Sequence, residues 1–194
     1  MQITIATLNQ GKLREIRALL NEPQFEILGV EKEFVFPEET GDTYLENAMI
    51  KAKAVAEFSH TLAIGEDAGL EVEVLPHLLG VKTARVLDGS DQEKMQYVLD
   101  QMKNESNRGA RFVCVCAIYD PIKNESQSFF GEVRGSIATE MRGSDGFGFD
   151  PIFIPKENNS DQKTFAELGS AFKNEISHRA RAWGQVKKFL QLQS

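Results

Sequence analysis

Apolar residues in the first part of the chain switch between the spacing of strands and that of helices. Residues 3–7 form an apolar segment typical of a strand, and residues 25–30 resemble a second short strand. Between them, apolar side chains in residues 13–20 recur every three or four positions, as on one face of a helix. The pattern predicts a strand, a glycine-containing loop, a helix and a second strand.

The same reading continues through the middle of the chain. Residues 43–58 have helical periodicity, and residues 61–64 form a short apolar strand that runs into Gly65-Glu66-Asp67-Ala68-Gly69. Residues 70–74 then alternate as a strand does. We therefore predict two strands separated by a turn that carries both acids.

In the second half, the pattern predicts a helix over 90–103, strands over 110–119 and 127–138, and a final helix over 177–192. A glycine-rich stretch precedes an apolar segment at 151–155. The 194 residues suffice for one buried domain with two lobes, so we predict a single α/β domain over residues 1–194.

Composition narrows the function classes. The chain is 41% hydrophobic and 26% charged, with a formal net charge of −7, which disfavours binding to nucleic acid polymers, because that rests on Lys and Arg neutralising many phosphates. No apolar run approaches the roughly 18 residues of a membrane span, and the N-terminus lacks a signal-peptide pattern. We expect a cytoplasmic protein with no membrane partner. Because the chain is acidic overall, binding a small anionic substrate would require a local cluster of lysines and a metal ion.

The two cysteines, Cys114 and Cys116, lie in an apolar, β-branched segment. A Cys-x-Cys pair can bind metal, but no His or further Cys stands nearby in the sequence. Residues two apart on a strand point the same way. We interpret the pair as buried strand thiols.

A candidate phosphate site follows the first strand. The loop consists of Thr7, Leu8, Asn9, Gln10, Gly11 and Lys12. Backbone N–H groups at a helix start, a glycine and a lysine can bind phosphate. The spacing is not that of a Walker A loop, and an ordinary βα turn with a surface lysine is the alternative.

Two acidic segments are candidate metal sites. Glu38 and Glu39 precede the helix that contains Lys51, and Glu66 and Asp67 follow an apolar strand. The alternatives are a solvated surface for the first pair and a simple turn for the second. Thr43-x-x-Glu46 fits a capping box, which makes Glu46 structural.

Two further segments are candidates for ligand contacts. Phe147 and Phe149 flank Gly148 before Asp150, an arrangement that offers a stacking surface or a turn with both rings in the core. Ser177 is a good N-cap, which puts His178 and Arg179 in the first turn of the last helix, where positive charge opposes the helix dipole. Such a pair indicates a ligand, or else Arg179 pairs with a nearby acid.

In this order, the motifs resemble the inosine triphosphate pyrophosphatase family, also described as dITP/XTP or non-canonical purine NTP pyrophosphatases. The chain departs from common forms of these motifs at a few positions: Glu66 replaces an Asp, Ala68 replaces a Ser, Val86 stands where an aromatic residue is common, and no Pro precedes Gly80. Asp67 is retained. The matching segments are residues 6–12, 39–52, 66–72, 80–85, 146–153 and 164–168, with Lys173 and residues 177–179.

The resemblance implies an elongated mixed β-sheet flanked by helices, with a cleft between two lobes and a homodimeric assembly. It implies that residues 7–12 and Lys51 bind phosphates, that Glu39 and Asp67 hold Mg²⁺, and that Asp67 also accepts a proton. It assigns substrate contacts to the backbone of Ala68, to Phe147, Gly148, Phe149 and Asp150 around the base, and to Lys173, His178 and Arg179 as readers of the base.

The implied reaction is Mg²⁺-dependent hydrolysis of ITP, dITP and XTP to the monophosphate and pyrophosphate, which cleanses the nucleotide pool. Asp67 would position or deprotonate the water, and Lys12 and Lys51 would stabilise charge on the departing pyrophosphate. The alternative is a non-catalytic nucleotide-binding or sensor protein, against which the retained lysines and Asp67 argue.

Overall fold

Six strands form one mixed sheet in the computed structural model, which describes residues 1–31 and 33–193 and leaves the side chains of residues 84 and 85 outside the description. The strands are Gln2–Ala6 (β1), Glu26–Gly29 (β2), Ala63–Val72 (β3), Gly109–Asp120 (β4), Glu125–Ile137 (β5) and Phe153–Pro155 (β6). Their order is β2-β1-β3-β4-β5-β6. β1 runs parallel to β2 and β3, whereas β6 is antiparallel to β5. The predicted mixed α/β fold is confirmed.

Helices separate the first four strands along the chain, whereas β5 follows β4 directly and two helices follow β6. The α-helices are Gln10–Leu19 (α1), Tyr44–Ser59 (α2), Asp91–Gln101 (α3), Phe165–Ile176 (α4) and His178–Gln193 (α5), and short 3₁₀ helices span Gly80–Arg85 and Asp150–Ile152. Among the described residues, no helix has both the length and the hydropathy required to cross a bilayer.

Capping boxes fix the start of three helices. At α2, Thr43 and Glu46 satisfy each other's backbone N–H groups, as the sequence predicted. The same arrangement begins α3 and α4. Helix α4 was not predicted, although Thr164-x-x-Glu167 is the pattern that would have located it. α5 begins immediately after Ser177, as expected.

The predicted turn at residues 65–69 is wrong, because β3 continues straight through it. Gly65 is required there for close packing: a Cβ at this position would lie 1.9 Å from the backbone oxygen of Ala48 in α2. Gly65 therefore permits close contact between α2 and β3, whereas its position in the sequence had indicated a turn. As a result, Glu66 and Asp67 lie within a buried strand beneath a helix.

The chain divides into two compact units. Unit 1 comprises Met1–Asp67, Cys114–Gly131 and Arg179–Ser194, and unit 2 comprises Ala68–Val113 and Glu132–His178. In unit 1, small residues of β1, β3 and α2 pack with the rings of Phe34 and Phe36. The larger core of unit 2 is built on aromatic side chains that include those of Phe112, Phe153 and Phe165. The predicted cleft stays a prediction.

Candidate active site

The loop between β1 and α1 is ordered by its own side chains. Asn9 is the N-cap of α1, and its Oδ1 accepts a hydrogen bond from the backbone N–H of Lys12 at 3.0 Å. The hydroxyl of Thr7 accepts from the N–H of Asn9 at 3.1 Å. Leu8, Asn9 and Gln10 are exposed. The predicted βα loop therefore presents the start of a helix to solvent, where backbone N–H groups favour an anion.

In unit 1, two carboxylates converge on one ammonium group. Lys51 Nζ lies 2.7 Å from Glu39 Oε1 and 3.3 Å from Asp67 Oδ1. Lys51 and Asp67 are buried, whereas Glu38 is exposed. The contact with Lys51 favours Glu39 over Glu38 as the acid that belongs to the site.

Asn47, which the sequence did not assign to the site, orders this cluster. Its Oδ1 accepts a hydrogen bond from the N–H of Gly41 at 2.8 Å, and its Nδ2 donates to Asp67 Oδ2 at 3.4 Å. Asn47 lies one helical turn before Lys51, so both reach Asp67 from the same face of α2. The close packing at Gly65 sets the distance between that face and β3.

The electrostatic environment of Asp67 suits a proton acceptor. Burial raises the pKa of Asp67, and the nearby charges of Lys51 and Lys12 only partly offset this effect, so the pKa lies above its ordinary value. A carboxylate with a raised pKa binds a proton more strongly than an exposed one. Such perturbation in a charged cluster is typical of functional sites.

Glu66 organises a second ionic cluster of unit 1. Its carboxylate accepts two hydrogen bonds from Arg179, at 2.8 and 2.9 Å, and one from Trp183 Nε1 at 2.8 Å. Lys12 Nζ lies 3.2 Å away. Arg179 also donates to Glu15 at 2.7 Å. The cluster therefore ties α1, β3 and α5 together.

This arrangement explains the ionisation of Glu66. Burial by itself would raise the pKa of Glu66, but the charges of Arg179 and Lys12, together with hydrogen bonds from Arg179 and Trp183, hold it well below its usual value. Arg179 is itself fully buried among these carboxylates. The geometry favours the interpretation in which Arg179 pairs with acids; its predicted contact with a base stays a prediction.

Cys114 and Cys116 lie on the Glu66 side of β4. Both are buried free thiols with sulfur atoms 4.0 Å apart, as predicted for strand cysteines. Their sulfurs and a Glu66 oxygen fall within 4.8 Å of one another. A carboxylate accepts about four hydrogen bonds; Arg179 and Trp183 already donate three to Glu66, and Lys12 forms an ion pair with it. We therefore assign the thiols to the core.

In unit 2, Asp150 joins a lysine to the glycine-rich loop. Asp150 Oδ2 accepts from Lys173 Nζ at 2.6 Å and from the backbone N–H of Phe147 at 2.9 Å. The same ammonium lies 4.5 Å from the centroid of the Phe147 ring, within cation–π range. Phe147 is half-buried, whereas Lys173 and Asp150 are buried. A half-exposed ring beside a positive charge can stack on a base.

Other predicted base contacts of unit 2 are partly structural. Phe149 is buried in the core, so only one of the two predicted rings is partly exposed. His178 is 4% exposed and stacks on Phe112, with ring centroids 4.8 Å apart. Ala68 is half-buried in β3.

Many of the predicted site residues thus fall into two clusters in unit 1 and one in unit 2. The structure brings together Glu39, Lys51 and Asp67 in one cluster of unit 1, and Lys12 with Arg179 in another; in unit 2 it brings together Phe147, Asp150 and Lys173. His178 ends unit 2 and Arg179 begins the last segment of unit 1, so the adjacent pair is divided between units. The predictions did not include Glu15, Asn47 or Trp183, whose partners are distant in sequence.

Comparison with known proteins gives a consistent result. The model of the Ham1 family matches residues 3–189. A dITP/XTP pyrophosphatase of Symbiobacterium thermophilum is 42% identical over 183 residues, covering 93% of this chain and 90% of the relative. A dITP/XTP pyrophosphatase of Bacillus subtilis is 40% identical over 196 residues, covering 96% of each chain.

Solved structures are also similar over the whole length. The Staphylococcus aureus Ham1 protein has a TM-score of 0.86 at 35% identity and covers 100% of both chains. A HAM1 protein from Coxiella burnetii has a TM-score of 0.85 at 36% identity, with 98% of each chain covered.

Proposed function

The chain belongs to the Ham1 family, and on that premise we propose that it hydrolyses dITP, XTP and ITP to the monophosphate and pyrophosphate with Mg²⁺ as cofactor. The sequence-based resemblance to this family and the prediction of an enzyme that hydrolyses nucleoside triphosphates are confirmed by the relatives. The choice of ITP, the metal, a homodimeric state and a cytoplasmic location are parts of the proposal.

The contact that carries the proposal is the shared ammonium of Lys51 between Glu39 and Asp67. Two carboxylates aimed at one positive charge form a donor set of hard oxygens, which is the kind that Mg²⁺ prefers. The residues therefore fit the cofactor, with Glu39 and Asp67 as its protein ligands. When bound, Mg²⁺ would neutralise charge on the triphosphate and orient it.

The residues of unit 1 supply the remaining chemistry. Asp67 takes the proton of the attacking water as the bond between the α- and β-phosphates breaks. Lys12 and Lys51 donate to phosphate oxygens and stabilise the negative charge that leaves with pyrophosphate. The exposed N–H groups at the start of α1 bind the phosphates. Positioning and charge account for catalysis, as is usual for phosphoryl transfer.

The residues of unit 2 provide base recognition in this proposal. Phe147 stacks on the purine, and Lys173 donates to the 6-keto oxygen of hypoxanthine or xanthine. Lysine can only donate hydrogen bonds, and adenine carries an amino group, also a donor, at position 6. With ATP or dATP, the Lys173 ammonium would therefore face another donor and form no hydrogen bond with it. A site built on such a hydrogen bond discriminates strongly, because the mismatch leaves buried polar groups unpaired.

Pyrophosphate release is the test. The purified protein is incubated with dITP, XTP, ITP, dATP or ATP, with Mg²⁺ or with a chelator, and products are identified by phosphorus NMR. We expect monophosphate and pyrophosphate to form much faster from the first three substrates than from dATP or ATP, and no turnover with the chelator. Tight binding of dITP without turnover would instead identify a nucleotide sensor, and release of orthophosphate would contradict the proposed bond cleavage.

A further inference from the structure

The glycine-rich loop of unit 2 is held by three carboxylates, one for each of three successive backbone amides. The N–H of Gly146 donates to Asp145 at 2.8 Å, and that of Phe147 donates to Asp150 at 2.9 Å. The third, from Gly148, donates to Asp91 Oδ2 at 2.9 Å. The first two acids belong to the loop's own segment, whereas Asp91 lies 57 residues away, in the first turn of α3.

The loop needs such restraints because of its composition. Phe147 stands between two glycines in the left-handed region, Gly146 at φ +82° and Gly148 at φ +60°. Glycine loses more conformational freedom on ordering than any other residue. At Gly148, a Cβ would meet no atom within 4 Å, so the space on that side of the backbone is open. The hydrogen bond from the Gly148 N–H to a carboxylate therefore restrains the backbone at this position.

The start of α3 gives Asp91 a fixed position. Ser90 caps the helix in a capping box with Glu93, so the backbone that carries Asp91 is anchored. The Asp91 side chain is exposed, and its Oδ2 accepts the hydrogen bond from Gly148 in the loop. Asp145 of the same loop also accepts a hydrogen bond from the backbone N–H of Ser170 at 2.7 Å. α3 therefore acts on the orientation of Phe147 through Gly148.

We propose that Asp91 is a positioning residue for substrate binding, which orders the Phe147 loop to stack on the purine base. This rests on the proposed function, because the loop is taken to contact the base. Since the base takes no part in bond breaking, loss of the restraint weakens binding of substrate and transition state alike, and therefore raises KM with kcat little changed.

The test compares Asp91→Ala with Asp91→Asn, which retains an oxygen that can accept from Gly148. Asp100→Ala is the control, because Asp100 lies near the other end of α3 and accepts from Gln96 in the same helix. For each variant, kcat and KM for dITP are measured, together with the hydrogen exchange rate of the Gly148 amide by NMR and the thermal unfolding midpoint.

For Asp91→Ala we expect KM to rise about threefold to tenfold, as for loss of one charge-assisted hydrogen bond at an exposed site, with kcat within about a factor of two. Hydrogen exchange of the Gly148 amide should become about tenfold faster. In Asp91→Asn, both KM and the exchange rate should be much closer to the wild-type values. Asp100→Ala should match the wild type. Unchanged exchange at Gly148, or faster exchange with unchanged KM, would overturn the proposal.

The exchange measurement does not depend on the enzyme's substrate. If the wild type releases no pyrophosphate from dITP, the proposed function fails, and the restraint on Gly148 is still decided by the exchange rate. A fall in kcat equal to the fall in kcat/KM for Asp91→Ala, without a change in KM, would also contradict a role in orienting the base.

Discussion

Glu66 and Asp67 are adjacent in β3, and their carboxylates contact different partners. Glu66 accepts from Arg179 and Trp183, whereas Asp67 contacts Lys51 and Asn47. Successive side chains on a strand point to opposite faces of the sheet, so the two acids serve different clusters. Consistent with this, the pKa of Glu66 is lowered and that of Asp67 is raised. One acid is a fixed charge within an ionic network, and the other is a candidate proton acceptor.

Asp67→Asn should abolish turnover and leave the fold intact. The change is nearly isosteric, and it removes both the proton acceptor and one carboxylate of the proposed metal site. We expect kcat for dITP below about a tenth of the wild-type value, a loss above about 1.4 kcal/mol, with an unchanged circular dichroism spectrum. Retention of more activity by the folded variant would show that the assigned role is wrong.

Lys12→Ala and Lys51→Ala should each lower kcat/KM for dITP by roughly ten- to a hundredfold, as expected for losing a charged hydrogen bond of about 1.5–3 kcal/mol. Lys53→Ala is the matched control, because Lys53 lies in the same helix as Lys51, with its ammonium over the Tyr119 ring at 5.5 Å. Steady-state kinetics compare the three. A loss in Lys53→Ala as large as that in Lys51→Ala would exclude a specific phosphate contact.

Glu39→Gln should increase the Mg²⁺ concentration needed for half-maximal activity, whereas Glu38→Gln should not. Glu39 contacts Lys51, and Glu38 is exposed. We expect a shift of about tenfold or more, since even outer partners of a metal site commonly have effects of this size. Titration of Mg²⁺ at saturating dITP measures it. Equal shifts in both variants would assign the effect to overall charge.

Arg179→Ala should lower kcat/KM for ITP and ATP by similar factors and should destabilise the protein. Removing Arg179 takes a buried cationic partner from both Glu66 and Glu15, and breaking a buried ion pair in this way costs about 3–5 kcal/mol. Denaturant unfolding and kinetics on both substrates measure the two effects. A selective loss for ITP at unchanged stability would instead restore Arg179 as a reader of the base.

Asp145→Asn should lower stability near neutral pH but not in acid. Hydrogen bonds from the backbone of Gly146 and then Ser170 hold the pKa of Asp145 below its ordinary value of 3.8. Because the folded pKa is the lower one, the stabilisation is present above the unfolded pKa and is lost as pH falls through the folded one. Unfolding midpoints of variant and wild type should therefore differ at pH 7 and converge below about pH 3.8. A constant difference would indicate loss of packing.

Local patterns in the sequence determined most of the elements and the motifs. Residues 43–58 were recognised as a helix because its periodicity and its capping box involve neighbours a few positions apart, and the structure gives Tyr44–Ser59 with that box. The cysteine pair and the strand that carries it were predicted for the same reason. The family was recognised from motif order along almost the whole chain.

Tertiary structure alone decided which polar residues distant in sequence contact one another. Gly65 reads as a turn signal in sequence, yet in the fold it lets α2 pack onto β3, and this packing places Asp67 beside Lys51. Arg179 joins Glu66 from 113 residues away, and Asp91 reaches Gly148 across 57. Periodicity carries no information about such partners, because the pairing of buried charges depends on which elements the hydrophobic core brings together.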